Sequence, residues 1–262
     1  MQLGLKDKTA VVFAASKGLG RATAEALAAE GCRVAICSRS EANIEKTAEQ
    51  LQTKYKTDII WSATDVEDGK AINQFLTKVI DEWGRIDVLV NNAGGPPVKM
   101  FEQTDDEEWL KYFNITFMSV VRAVRKVLPV MKQNKWGRII NITSVSVKEP
   151  IKGLVYSNAL RLAVVGLAKT LADELGPFGI TVHNVAPGYH RTDGLQRIVN
   201  KRMERGEEEE EIFREWEQNV PLRRIGEAPD LAGLIVFLAS EQSAYMTGCT
   251  ITVDGGRYRG IM

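Results

Sequence analysis

Short apolar runs alternate with longer stretches of helical periodicity from one end of this chain to the other. That alternation limits the possible folds more than any other feature. Residues 9–13, 33–38, 59–62, 88–90, 138–143, 181–185 and 250–253 read as buried strands. Between them, residues 20–30, 41–55, 70–83, 107–131, 155–175 and 230–239 space their apolar side chains for helices. Strand–helix alternation builds a parallel sheet covered on both faces. Right-handed crossovers make such a sheet doubly wound, with ligand sites at the carboxyl ends of its strands. The expectation is an α/β chain: a single Rossmann domain over residues 1–262, with a doubly wound, parallel, seven-stranded sheet.

One segment breaks the rhythm. Residues 189–228 are far longer than an ordinary connection, and loops of that length are usually functional. The segment carries an acidic run, Glu207 to Glu211, and a basic cluster of Arg197, Lys201, Arg202 and Arg205. It reads as a solvated helical substrate lid. The sharper alternative is a basic face that receives an anionic substrate tail.

Charge excludes some partners. Lys plus Arg and Asp plus Glu are equal at 34 each, which gives no reason to expect nucleic acid or a membrane surface. The cysteines Cys32, Cys37 and Cys249 are scattered, as in a reducing compartment. The start has no apolar signal core, and no window has 18 continuous apolar residues. A cytoplasmic enzyme acting on a small molecule is the expectation, and no metal site is expected.

After the first strand comes Phe13-Ala14-Ala15-Ser16-Lys17-Gly18-Leu19-Gly20, then a helix. A turn of small residues lets backbone approach a pyrophosphate, and the helix N-terminus supplies free N–H donors. A methyl on Ala14 narrows that approach if the backbone there needs positive φ. Cofactor choice is read at the end of the second strand. A carboxylate there binds an adenosine ribose and repels a 2′-phosphate. This chain instead has Ser38 and Arg39, a hydroxyl and a fork of donors, and Lys17 approaches from the glycine turn. NADP(H) is expected in preference to NAD(H).

Further motifs accumulate in order: Asp65-Val66 after the third strand, Asn91-Asn92-Ala93-Gly94 closing the fourth, and Pro187-Gly188-Tyr189-His190-Arg191-Thr192 after the sixth. Thr247-Gly248 and Asp254-Gly255-Gly256 stand near the end, and Ser144 and Tyr156 lie twelve residues apart. Across essentially the whole chain this set resembles the short-chain dehydrogenase/reductase family, and most of all its 3-oxoacyl-[acyl-carrier-protein] reductase-like members. The family usually writes the first turn Thr-Gly-x-x-x-Gly-x-Gly, so Ala14 replaces a glycine. The resemblance implies a cofactor site of Ala14, Ser16, Lys17, Gly18, Leu19, Gly20, Ser38, Arg39, Asp65, Val66, Asn92, Ala93, Gly94, Pro187, Gly188 and Thr192. Thr192 would hold the nicotinamide carboxamide. The resemblance also implies a homo-oligomer, a tetramer or dimer.

It assigns catalysis to Tyr156 as acid, Ser144 as orienting hydroxyl and Asn114 as anchor of a water relay. The implied reaction is hydride transfer to a carbonyl, of a 3-oxoacyl or similar keto substrate. One member of the pattern is absent: Leu160 stands where the family has lysine, one turn after the tyrosine. A cation about 4 Å away, at an effective dielectric of about 20, favours a phenolate by about 4 kcal/mol. Without it, Tyr156 is expected near the ordinary phenol value of about 10. Reduction would then survive more slowly, and alcohol oxidation would suffer more. Arg161 should point away from Tyr156, since successive helical residues differ by about 100°. Lys148, Lys152 and His190 are further candidates for the lost function, and His183 reads as structural. The alternative is a catalytically weak or inactive dinucleotide-binding homologue, acting as a sensor or assembly subunit. A scaffold that has lost dinucleotide binding altogether is a third.

Overall fold

The computed structural model describes residues 2–261. Seven strands form one sheet in the order β3-β2-β1-β4-β5-β6-β7, every neighbouring pair parallel. They are β1 (Thr9–Val12), β2 (Arg33–Ser38), β3 (Ile59–Ala63), β4 (Val88–Asn91), β5 (Gly137–Ile142), β6 (Ile180–Pro187) and β7 (Thr250–Val253). Every residue of β1, β4 and β5 is buried, which is why their sequences run apolar without alternating. Val11, Ala35, Leu89 and Ile139 pack one face against helices. Ala10, Val34, Val90 and Ile140 pack the other.

The helices start and stop where local chemistry dictates. In α2 (Glu41–Tyr55) the Ser40 hydroxyl accepts from the Asn43 N–H, and Lys56 ends the helix in the left-handed region. In α3 (Gly69–Trp83) the Asp68 carboxylate accepts from the Lys70 N–H, and Gly84 closes at φ +71°. Helix α1 (Gly18–Ala29) packs on one side of the sheet with α9 (Ala228–Ala239). The stretch 107–131, expected as one helix, is two: α4 (Asp106–Phe113) and α5 (Ser119–Asn134). A wide turn over Asn114–Met118 joins them. Such a turn inserts an extra residue into the helical ladder and changes which side chains face the sheet beyond it.

Helix α6 spans Val155–Leu175, as the periodicity predicts. Segment 189–228 folds into α7 (Asp193–Met203) and α8 (Glu209–Asn219) around a small core of Leu195, Val199, Ile212, Trp216 and Ile225. Tyr189 stacks on Trp216 at 4.8 Å. Arg202 is held by the segment's own carboxylates, Glu207 and Glu215, so this member of the basic cluster serves the segment internally. No helix among the described residues is long and apolar enough to cross a membrane.

Candidate functional site

The strand order reverses direction between β1 and β4, the point where a sheet of this kind opens a crevice at the carboxyl ends of its strands. The turn from β1 into α1 stands at this switch point. Gly18 has φ +58°, and a Cβ there would lie 3.4 Å from the Thr192 methyl, so this turn and the start of α7 nearly touch. Gly20 is required more strictly: a Cβ would stand 2.4 Å from the Ala14 carbonyl oxygen and 2.7 Å from Asn92 Nδ2. Ala14 has φ +49°, the left-handed region that an L-residue enters at a cost. The Asn92 amide donates to the Ala14 carbonyl at 3.3 Å and ties the turn to the end of β4.

The other expected cofactor positions surround that turn. Arg39 is exposed at the end of β2 and has no ion-pair partner among the described residues. Beside it, Ser38 is buried and its hydroxyl donates to the Ser40 carbonyl. Lys17 is exposed and pairs with Asp193 at the first turn of α7, so a cation of the glycine turn is joined to the segment above it. Ser16 offers its carbonyl to the Thr47 hydroxyl. Asp65 is half-buried and accepts from the Glu67 N–H, next to buried Val66. Leu19, Ala93 and Pro187 are half-buried, and Gly94 is exposed. Gly188 donates to the Val253 carbonyl, and Thr192 caps α7 by accepting from the Leu195 N–H.

Behind the crevice a row of buried amides crosses the sheet. Asn91 donates to Asn141 at 2.8 Å, Asn141 to Asn184 at 3.0 Å, and Asn184 to the Thr250 hydroxyl at 3.1 Å. The row leaves Asn91 Oδ1 buried without a partner. It borders a water-sized hollow lined by Asn92, Thr116, Thr143 and Arg161.

Helix α6 turns two different polar faces to its surroundings. On one, the Tyr156 ring is fully buried against Trp109 and Tyr112 of α4, with centroids 4.7 and 5.0 Å away. Its hydroxyl donates to Glu108 Oε2 at 2.7 Å, and Lys99 Nζ meets that oxygen at 2.6 Å. Desolvation first, then the Glu108 carboxylate, pushes the phenol up to about 12, while Lys99 and Tyr156 hold Glu108 below its usual range. On the other face, Ser157 lies 3.1 Å from Ser146 through their hydroxyls, and Arg161 Nη1 donates to the Ile142 carbonyl at 2.9 Å.

The three expected catalytic residues therefore have separate partners. Tyr156 is bonded to α4. Ser144, half-buried, accepts from the Ser146 N–H at the start of the loop after β5. Asn114 donates to the Leu110 carbonyl and accepts from Arg122 within the α4–α5 region. Leu160 is buried, and Arg161 does point away from Tyr156, into the hollow. His190 is buried and its charged form is disfavoured by desolvation; His183 is enclosed in β6. The sequence reading missed Glu108, Lys99, Thr116, Ser146 and Ser157, and it weighed Arg161 only as a partner for Tyr156. For Ser157 and Arg161 a signal existed: polar residues four apart on a helix share a face.

Comparison with known proteins agrees with this architecture. The profile of a family described as Enoyl-(Acyl carrier protein) reductase matches residues 13–257. The NADPH-dependent reductase BacG of Bacillus subtilis is 31% identical over 259 residues, covering 98% of this chain and 100% of its own. The 3-oxoacyl-[acyl-carrier-protein] reductase FabG of Escherichia coli is 35% identical over 256 residues, covering 98% of this chain and 99% of its own. Among solved structures, YwfH, an NADPH-dependent reductase involved in bacilysin biosynthesis, superposes with a TM-score of 0.93 at 32% identity, over 98% of this chain and all of that one. L-Sorbose reductase from Gluconobacter frateurii, complexed with NADPH and L-sorbose, reaches 0.96 at 28% identity over the whole of both chains. With the sheet order, the glycine turn and the Asn-Asn-Ala-Gly strand end already in place, these matches show that the chain belongs to the short-chain dehydrogenase/reductase family.

Proposed function

We propose that this protein is an NADP(H)-dependent oxidoreductase that reduces a carbonyl on a small molecule, such as a 3-oxoacyl or similar keto compound. The observation that carries the reading is Arg39. It stands exposed and free of carboxylates at the end of β2, where a ribose-bound 2′-phosphate would arrive, above a turn whose N–H groups can take the pyrophosphate. The NADPH dependence stated for BacG and YwfH supports it. Ala14, Ser16, Lys17, Gly18, Leu19 and Gly20 would cradle the phosphates, and Asp65 and Val66 the adenine. Asn92, Ala93, Gly94, Pro187, Gly188 and Thr192 would line the path of the nicotinamide half. When bound, the reduced dinucleotide would supply the hydride for the carbonyl carbon, and one proton from this chain would complete the alcohol.

Tyr156 is the acid of this reading provided its hydroxyl exchanges Glu108 for the substrate oxygen. A phenol raised to about 12 remains protonated at neutral pH, which suits reduction and opposes the reverse oxidation. The same hydrogen bond favours the second reading, a dinucleotide-binding homologue with little turnover, because it occupies the donor. NADPH oxidation measured against β-keto esters, diketones and quinones separates the two. Turnover that disappears in Tyr156→Phe supports the reductase with that acid. Tight NADPH binding with no turnover across the panel supports the second reading. Failure to bind NADPH overturns both.

A further inference from the structure

Arg122 of α5 spreads its guanidinium between two segments far apart in the sequence. Nη1 donates to the Glu67 carbonyl at 3.0 Å, in the loop after β3. Nη2 donates to Asn114 Oδ1 at 2.8 Å, at the start of the wide turn between α4 and α5. Both ends are braced. The Glu67 N–H donates to Asp65 Oδ1 at 3.0 Å, so this residue is gripped through both its N–H and its carbonyl. The Asn114 amide donates to the Leu110 carbonyl at 3.0 Å, which leaves its oxygen for Arg122.

The arginine has room because α3 begins with Gly69: a Cβ there would stand 2.9 Å from both Cδ and Nε of Arg122. Among the described residues no carboxylate pairs with this half-buried guanidinium. It is held by two neutral oxygens, and so by direction more than by charge. A planar guanidinium spans two acceptors in a fixed relation, which the point charge of a lysine does not. The turn it reaches matters to the site. Thr116, within that turn, is buried with Oγ1 unpartnered and lines the hollow beside Asn92. Ser119, which opens α5, lines it too, and its hydroxyl returns to the Ile115 carbonyl at 2.6 Å.

We propose that Arg122 is a positioning residue that carries order from the adenine side of the dinucleotide to the turn bearing Thr116. This rests on the reading that the chain binds NADP(H) with Asp65 and Val66 beside the adenine. An adenosine that fixes the Asp65–Glu67 segment fixes the Glu67 carbonyl. The fork then restrains Asn114, and with it one wall of the hollow. No change of shape is needed, because restraint paid for at one place lowers the cost of ordering the next. The adenosine half thereby prepares a part of the site that it need not touch.

The test follows amide hydrogen exchange in the full-length protein with and without 2′,5′-ADP, which supplies the adenosine half and no nicotinamide. In the wild type, saturating 2′,5′-ADP should slow exchange at residues 65–69 and also at 114–119. The slowing at 114–119 should be about fivefold, the low end of ordinary coupling between sites. In Arg122→Gln the protection at 65–69 should persist and that at 114–119 should vanish. Arg122→Lys should behave like Arg122→Gln, since it keeps the charge and loses the fork. Gly69→Ala displaces the arginine without removing it and should give the same split, which covers an Arg122 variant that fails to fold. Protection confined to 65–69 in the wild type overturns the inference, as does protection at 114–119 that survives in the folded variants. If 2′,5′-ADP does not bind the wild type at all, the cofactor reading fails and the inference falls with it.

Discussion

Replacing Ala14 by glycine isolates a backbone effect, because the side chain it removes is one half-buried methyl. At φ +49°, alanine costs about 1–2 kcal/mol relative to a residue without Cβ. Glycine relieves this, but it also loosens the unfolded chain and gives back about 0.4–1 kcal/mol. The hydrogen bond from Asn92 to the Ala14 carbonyl is a backbone contact and survives the exchange. The balance is a stabilisation of about 0.5–1 kcal/mol, which for a chain of this size raises Tm by about 1–4 °C. Urea unfolding should show a higher midpoint at an unchanged slope, since no new surface is exposed. With the methyl gone from beside the pyrophosphate path, NADPH affinity should hold or rise. A lower midpoint would refute the reasoning: it would mean that the methyl's contacts outweigh the strain.

Three further outcomes follow from the geometry. Gly20→Ala forces a Cβ to within 2.4 Å of the Ala14 carbonyl, so NADPH affinity should fall at least about tenfold in a fluorescence titration. Arg39→Asp should turn NADPH preference toward NADH, measured as the ratio of their dissociation constants; an unchanged ratio removes Arg39 from the phosphate site. Asp230 is held down to about 2 by Arg224 and then by the Glu227 N–H. A depressed carboxylate contributes stability that is complete above its ordinary value of 3.8 and lost as pH falls through about 2. Acid titration of Asp230→Asn should therefore show a flatter loss across that window, and an identical curve would exclude the pair as its source.

Much of the scaffold was legible because hydrophobic periodicity reports burial directly. Strands β2 and β7 and helices α2 and α6 begin and end where the pattern predicts. What periodicity does not report is rotation. Helix α6 has the expected limits, yet the residue on which the resemblance anchors, Tyr156, packs on Trp109 and Tyr112, and its neighbour Ser157 faces the loop after β5. A displacement of one residue turns a helix by about 100°, and only the aromatic packing of α4 settles it. Asn114 illustrates the same limit. The apolar pattern runs through residues 107–131 without interruption, so the wide turn at Asn114–Met118 leaves no sign in it, and Thr116 is the residue that reaches the hollow. Charged groups were hardest of all: Lys99, Glu108 and Tyr156 come together from a loop and two helices, and no local spacing connects them.

The row of amides behind the crevice has a direction. All three asparagines donate toward β7, and Asn141 and Asn184 accept from the β4 side, so no single amide can turn over without placing two NH2 groups or two oxygens against each other. The row therefore behaves as one switch with two senses. In the sense observed, it ends at Asn91 with an oxygen on the hollow that Arg161 lines, a negative pole beside a cation. The reverse sense would present an NH2 to a guanidinium. Cation and row select each other, and Thr250, at the far edge of the sheet, acquires a say in the polarity of a hollow three strands away.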